Sequence, residues 1–247
     1  MHSLENKIAL VTGSAGALGE AVVRNFVKLG MRVVMADIQE SRLHELAAEL
    51  GNKVYPLKLD VSDDQAVIQA CDEIRVLWGD VDVLVNNAGI LSNNKAVETS
   101  TQEWRRVMSI NLDGAFYMSR ECLPGMKAKG WGRIINICSL AAKTGGLTAG
   151  TAYTTSKGGM TSLTFSLARE AAQHGVTANG ISPAYIRTPM VTEQLTESQR
   201  QDLLASIPVK RFCEPSEVAH VVEFLASPHS GFITGEVIDI NGGLHLD

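Results

Sequence analysis

The run Tyr153-Thr154-Thr155-Ser156-Lys157, with Ser139 upstream, carries side chains whose types and spacing suit proton transfer. On a helix, positions i and i+4 share a face, so the Tyr153 hydroxyl and the Lys157 ammonium can converge on one point. A phenol titrates near ~10 in water, and a cation held beside it favours the phenolate. The pair is then an acid/base able to exchange a proton near neutral pH. Ser139 can hydrogen-bond the same substrate oxygen. Such chemistry fits a carbonyl or alcohol carbon that gains or loses a hydride. The spacing alone also describes a packed tyrosine and a solvated lysine one turn later, so its meaning depends on the rest of the chain.

A second group lies near the N-terminus. Thr12-Gly13-Ser14-Ala15-Gly16-Ala17-Leu18-Gly19 separates an apolar run from an amphipathic one. Glycines there let the backbone turn tightly and approach a pyrophosphate at a helix N-terminus, although a plain strand-to-helix turn reads the same way. Asp37 follows Val33-Val34-Met35-Ala36. A carboxylate at that place accepts hydrogen bonds from adenosine ribose hydroxyls and repels a 2′-phosphate; its bland alternative is a cap for the helix that starts near Ser41.

The elements that must position these groups alternate along the chain. Strands are expected at Ile8–Val11, Arg32–Ala36, Val54–Leu59, Val81–Val85, Ile134–Cys138, Val176–Ile181 and Val237–Ile240. Helices are expected at Gly16–Leu29, Ser41–Leu50, Asp64–Leu77, Asn111–Lys129, Ala152–His174 and Pro215–Ala226. Continuous apolar strands joined by crossover helices predict one α/β domain over residues 1–247. Its core is a doubly wound parallel sheet of about seven strands with helices on both faces. The patternless stretch Pro183–Pro208 reads as a substrate lid over about 184–208.

Composition narrows the function. The formal charge of −5 offers no basic field for nucleic acid. No apolar run approaches a membrane span and no signal peptide is evident, so a cytoplasmic protein is the default. The 4 cysteines form no Cys-x-x-Cys pair and the 6 histidines no metal motif, so no metal is expected. No Gly-x-Ser-x-Gly elbow is present either.

Taken together, the chain resembles the short-chain dehydrogenase/reductase family over nearly its whole length. The resemblance rests on Thr12 to Gly19, Asp60-Val61, Asn86-Asn87-Ala88-Gly89, Asn111, Ser139 and Tyr153-x-x-x-Lys157. It continues through Ser182-Pro183 to Met190, Ile233-Thr234-Gly235 and Asn241-Gly242-Gly243. This likeness implies a Rossmann fold and a catalytic set of Asn111, Ser139, Tyr153 and Lys157. Tyr153 would be the acid/base. Lys157 would lower its pKa and hold the nicotinamide ribose, Ser139 would orient substrate, and Asn111 would kink its helix to hold a water in the proton path.

Asp37, with no Lys or Arg among Ser14, Ala15 and Gly16, makes NAD(H) the expected cofactor. Gly13, Ser14, Ala15, Gly16, Leu18 and Gly19 would surround its phosphates, with Asp37 and Ile38 at the adenosine ribose and Asp60 and Val61 at the adenine. Asn87, Ala88 and Gly89 would line the strand-end pocket, and Pro183, Ile186 and Thr188 the nicotinamide. Ala17, Ala184 and Cys213 stand where the family usually has glycine, and the Ser139–Tyr153 interval is one residue longer than usual. Ala17 bears on cofactor affinity and the loop Leu140–Ala152 on specificity.

The implied activity is hydride transfer to or from a ketone or secondary alcohol. The closest-looking subgroup is the 3-oxoacyl thioester reductases, with polyol, sugar and other secondary-alcohol dehydrogenases as the alternative and a non-catalytic NAD-binding sensor as a third reading. Carrier-protein docking would need a basic patch; Gly130 and His174 occupy the expected arginine positions, with Lys127, Lys129 and Arg133 nearby. The family's helix–helix interface, together with Phe116, Met118, Phe165 and Leu167 outside the expected core stripe, implies a homotetramer.

Overall fold

A computed structural model describes residues 3–188 and 196–246. Seven parallel strands form one sheet in the order β3-β2-β1-β4-β5-β6-β7. They are β1 (Ile8–Thr12), β2 (Arg32–Asp37), β3 (Val54–Lys58), β4 (Val83–Asn86), β5 (Gly132–Ile137), β6 (Val176–Pro183) and β7 (Val237–Ile240). The strand order reverses at β1 and β4, and the crevice beyond their carboxyl ends is where such sheets bind ligands.

Period-two alternation sends successive residues to opposite cores. Ala9 and Val11 pack with α1 (Ala17–Lys28), α2 (Glu40–Leu50) and α9 (Pro215–Ala226), through Val22, Phe26, Leu43, Leu46 and Val222. Ile8 and Leu10 face α3 (Asp64–Leu77), α5 (Gly114–Lys129) and α7 (Thr151–Ala171), through Val67, Ile74, Met118, Met126 and Leu167. Fully burying each such side chain contributes about 1.5–3 kcal/mol.

The expected helix over Asn111–Lys129 is longer and broken. It begins as α4 (Thr101–Met108), passes through a π-helical turn at Ser109–Asp113, and continues as α5. The Ser100 hydroxyl caps α4 by accepting from the Glu103 amide. Met118 and Leu167 are core residues rather than surface ones, whereas Phe116 and Phe165 are exposed as expected. Short α6 (Ala141–Thr144) follows the end of β5, and α8 (Glu197–Ser206) occupies part of the stretch expected to be patternless. The expected lid residues 189–195, with Met190, lie outside the described residues.

A buried amide ladder crosses the middle of the sheet. Asn86 Nδ2 donates to Asn136 Oδ1 at 2.8 Å and to Ser119 Oγ at 3.1 Å. Asn136 Nδ2 donates to Thr164 Oγ1 at 2.8 Å. The chain of bonds joins α5, β4, β5 and α7, so the helix that presents Tyr153 and Lys157 is fixed to the centre of the sheet.

Candidate active site

A cavity of about 1220 Å³ runs along the carboxyl ends of the strands. Asp37 and Ile38 line one end, and Ser139, Tyr153, Lys157 and Tyr185 line the other. Its floor contains the turn between β1 and α1. Gly13 has φ +66°, and a Cβ there would lie 2.8 Å from Ala88 Cα. A Cβ on Gly19 would come within 2.2 Å of Gly13 O. Both positions therefore require glycine. Gly16 does not: it is extended at φ −78° and a Cβ would meet nothing nearer than 3.5 Å. Ala17 is the first helical residue and half-buried, so its methyl fits without forcing unusual backbone.

The turn is tied to the neighbouring strand ends. Asn87 Nδ2 donates to Thr12 O and Gly13 O at 2.9 and 3.0 Å, while the Asn87 and Ala88 amides donate to Thr12 Oγ1. Asp37 is buried and accepts from the Ala15 amide at 3.0 Å and the Gln39 amide at 3.0 Å. No ion pair reaches it among the described residues. Arg32 stacks on Trp78 instead, and Lys58 and Arg42 pair with glutamates.

Two expected site residues are not in the cavity wall. Ser14 is fully buried and donates its hydroxyl to Ala36 O, so it staples the turn to β2 rather than facing a phosphate. Asn111, in the π-helical turn, is also fully buried. Its Oδ1 accepts from the Ile90 amide at 2.8 Å, and its Nδ2 donates to Ile90 O and Ser156 Oγ. It nevertheless lies close to Lys157: a Cβ on Gly89 would lie 3.3 Å from Asn111 Oδ1 and 3.7 Å from Lys157 Nζ.

Gly13, Ala15, Gly16, Leu18, Gly19, Asp60, Val61, Asn87, Ala88, Gly89, Pro183, Ile186 and Thr188 all line the cavity, as do Asp37 and Ile38. Sequence reasoning missed Leu91, Asn93, Arg106, Ile110 and Tyr185. The Ser100-x-x-Glu103 capping spacing was the available signal for α4, which carries Arg106.

At the reactive end, Lys157 is buried and donates to Ile137 O at 2.6 Å, with Nζ 5.9 Å from the Tyr153 ring centroid. Burial pulls the ammonium down to about 8, with the Cys138 thiol opposing the change. The Tyr153 phenol is pushed up, not down: burial disfavours the phenolate, and the hydrogen bond from Ser139 only partly offsets it. The expectation that Lys157 lowers the phenol is thus not met by the protein groups alone, because the lysine proton is directed at a backbone carbonyl. Cys138, buried beside both, is also pushed up by burial.

Comparison with known proteins decides the family. A family model described as enoyl-(acyl carrier protein) reductase matches residues 13–245. The 3-oxoacyl-acyl-carrier-protein reductase FabG of Haemophilus influenzae is 37% identical over 98% of this chain and 100% of its own. That of Vibrio cholerae is 38% identical over 99% of each. The chain belongs to the short-chain dehydrogenase/reductase family. Two solved members of that family's fold class superimpose closely. A short-chain dehydrogenase/reductase titled glucose/ribitol dehydrogenase, from Brucella melitensis, gives a TM-score of 0.92 at 34% identity and covers 100% of this chain and 99% of its own. A putative gluconate dehydrogenase from Agrobacterium tumefaciens gives 0.93 at 33%, covering 98% and 97%.

Short-chain dehydrogenase/reductases are oxidoreductases that use a nicotinamide dinucleotide, and the residues present fit one. The two obligatory glycines keep the cavity floor clear. The first-turn amides of α1 lack intrahelical acceptors, and a buried carboxylate stands one strand away. The described residues contain no metal-binding cluster and no helix long and apolar enough to cross a membrane.

Proposed function

We propose that the protein is an NAD(H)-dependent reductase of 3-oxoacyl thioesters, small or coenzyme A-linked, working in the cytoplasm. The observation that carries the reading is one cavity with a Ser139–Tyr153–Lys157 group at one end and, at the other, Asp37, which no ion pair reaches among the described residues. When bound, the cofactor supplies the hydride that reaches the carbonyl carbon. Ser139 and Tyr153 hold the carbonyl oxygen, and Tyr153 gives it the proton. A phenol pushed up by burial remains protonated at neutral pH, which suits proton donation to a ketone oxygen. Lys157 holds the nicotinamide ribose. Asn111, through Ile90 and Ser156, fixes the backbone behind Lys157. The Asp37 carboxylate accepts from the two ribose hydroxyls and repels a 2′-phosphate.

Thioester chemistry is supported by the FabG relatives. Against a carrier protein, the three nearby cations are engaged: Lys127 with Glu170, Lys129 with Asp82, and Arg133 buried against Trp131 and the Gly132 carbonyl. The sugar-linked names of the two structural neighbours favour a polyol or sugar alcohol as the second reading. Four thiols without a disulfide fit the cytoplasm.

Steady-state rates with NADH and NADPH, on acetoacetyl-coenzyme A, carrier-bound acetoacetate and a panel of sugar ketones, test the proposal. NADH is expected to exceed NADPH in kcat/KM by about 10-fold or more, and Asp37→Ser to narrow the gap mainly by improving NADPH binding. Comparable wild-type values for the two cofactors overturn the NAD(H) assignment. A preference for sugar ketones installs the second reading.

A further inference from the structure

We propose that Lys143 and Asp239 form an anchor that positions Ser139 toward Tyr153 in the cavity. The inference rests on the catalytic reading above and extends it to two residues outside the cavity wall. Lys143 Nζ donates to Asp239 Oδ2 at 2.7 Å, with only 28% and 20% of the two side chains exposed. Lys143 belongs to α6, and Asp239 to β7, where it stands opposite Ser182 in the register with β6. The ion pair thus fastens a one-turn helix to the sheet. Asp239 Oδ1 is buried without a partner among the described residues, so the carboxylate depends on the ammonium at its other oxygen.

Ser139 is built into the same turn. Its Oγ accepts from the Ala141 amide at 3.2 Å, and its carbonyl accepts from the Ala142 amide at 3.0 Å. With the oxygen so occupied, the hydroxyl proton is left to donate to Tyr153, and that bond opposes the upward pull of burial on the phenol. If α6 shifts, both capping bonds shift and the donor turns away. A four-residue helix has little stability of its own, so an external tether decides where it rests.

Arg106 on α4 lines the same cavity, and the other ionisable groups of neighbouring elements are engaged or buried. Lys157 on α7 donates to Ile137 O, Cys138 at the end of β5 is a buried thiol, Lys95 donates to Gly146 O and Ala149 O, and Arg187 pairs with Glu214. None of them replaces the Ser139 donor.

The test reads Tyr153 directly, without turnover. In protein carrying 13C-labelled tyrosine, the Tyr153 ring resonance is assigned by its loss in Tyr153→Phe and followed through its ionisation. Ser139→Ala is expected to raise the midpoint by roughly half a unit or more. Lys143→Met and Asp239→Asn should raise it similarly, and Lys143→Arg should restore it. In the Ser139→Ala background, Lys143→Met should add nothing. The same variants should lose about 5–20-fold in kcat for ketone reduction with KM for NADH unchanged, and the double variant should match the worse single one. An unmoved midpoint in both Lys143→Met and Asp239→Asn overturns the anchor, as does an additive double variant. A wild type with the expected titration but no ketone turnover sinks the proposed function while leaving the anchor standing.

Discussion

Lys157 is where residue-scale physics is most measurable. Its folded value of about 8 lies below the ordinary lysine value of 10.5, because burial disfavours the charged form. Below pH 8 both folded and unfolded chains carry the proton, and the cost of burying it is fully present. Between 8 and 10.5 only the unfolded chain keeps the proton, so this residue adds stability as pH rises. Urea midpoints of cofactor-free wild type and Lys157→Met should therefore diverge in favour of wild type from pH 8 to 10; parallel midpoints would contradict a buried, depressed lysine. Tyr153→Phe keeps the ring and removes the transferable proton, so NADH binding should survive while ketone reduction falls by about 10²-fold or more. Because the phenol is pushed up, the reverse reaction, which needs it deprotonated, should accelerate toward alkaline pH. That Ser139, Tyr153 and Lys157 would meet in one cavity was legible from spacing and family likeness. The direction of the Tyr153 shift was not, because it depends on burial and on where the lysine proton points.

At the scale of elements, the opening turn separates required glycines from dispensable ones. Gly16→Ala should leave NADH affinity and stability nearly unchanged, since the added methyl meets only ordinary contact. Gly19→Ala puts that methyl 2.2 Å from Gly13 O and should destabilise by about 1–3 kcal/mol, as overpacking does, with loss of NADH binding by fluorescence titration. Equal behaviour of the two variants would refute the geometry described. The strands were legible because buried parallel strands are continuous apolar runs, and β7 and α9 have the bounds expected of them. Helix α4 escaped because it buries only Val107 in 8 residues. The helix irregularity at Asn111 was expected from family likeness as a kink, but its π-helical form was not, because no side-chain pattern marks an extra residue per turn; Asn111 bonds Ile90 and Ser156 from this turn. Ser14 looked like a phosphate neighbour, yet only the paired strand showed that its hydroxyl is taken by Ala36.

For the whole molecule, exposed aromatic rings remain unexplained by a monomer. Phe116 on α5 and Phe165 on α7 are 45% and 48% exposed, and Phe232 near β7 is fully so. Helix faces and a sheet edge of this kind are places where copies of a chain join with two-fold symmetry. Light scattering at micromolar concentration is expected to give a homotetramer, and Phe116→Glu with Phe165→Glu to give smaller species; a wild-type monomer would refute this. The amide ladder through Asn86, Asn136 and Thr164 bears on how such a chain finds one arrangement. Purely aliphatic parallel strands pair almost as well after sliding by two residues, since the same faces stay buried. Sliding β4 past β5 would strand amides in hydrocarbon, at about 1–3 kcal/mol for each group left unmet. The ladder therefore acts as a key that admits one alignment of the central strands, and only in that alignment do the turn at Gly13 and the helix bearing Tyr153 face the same crevice.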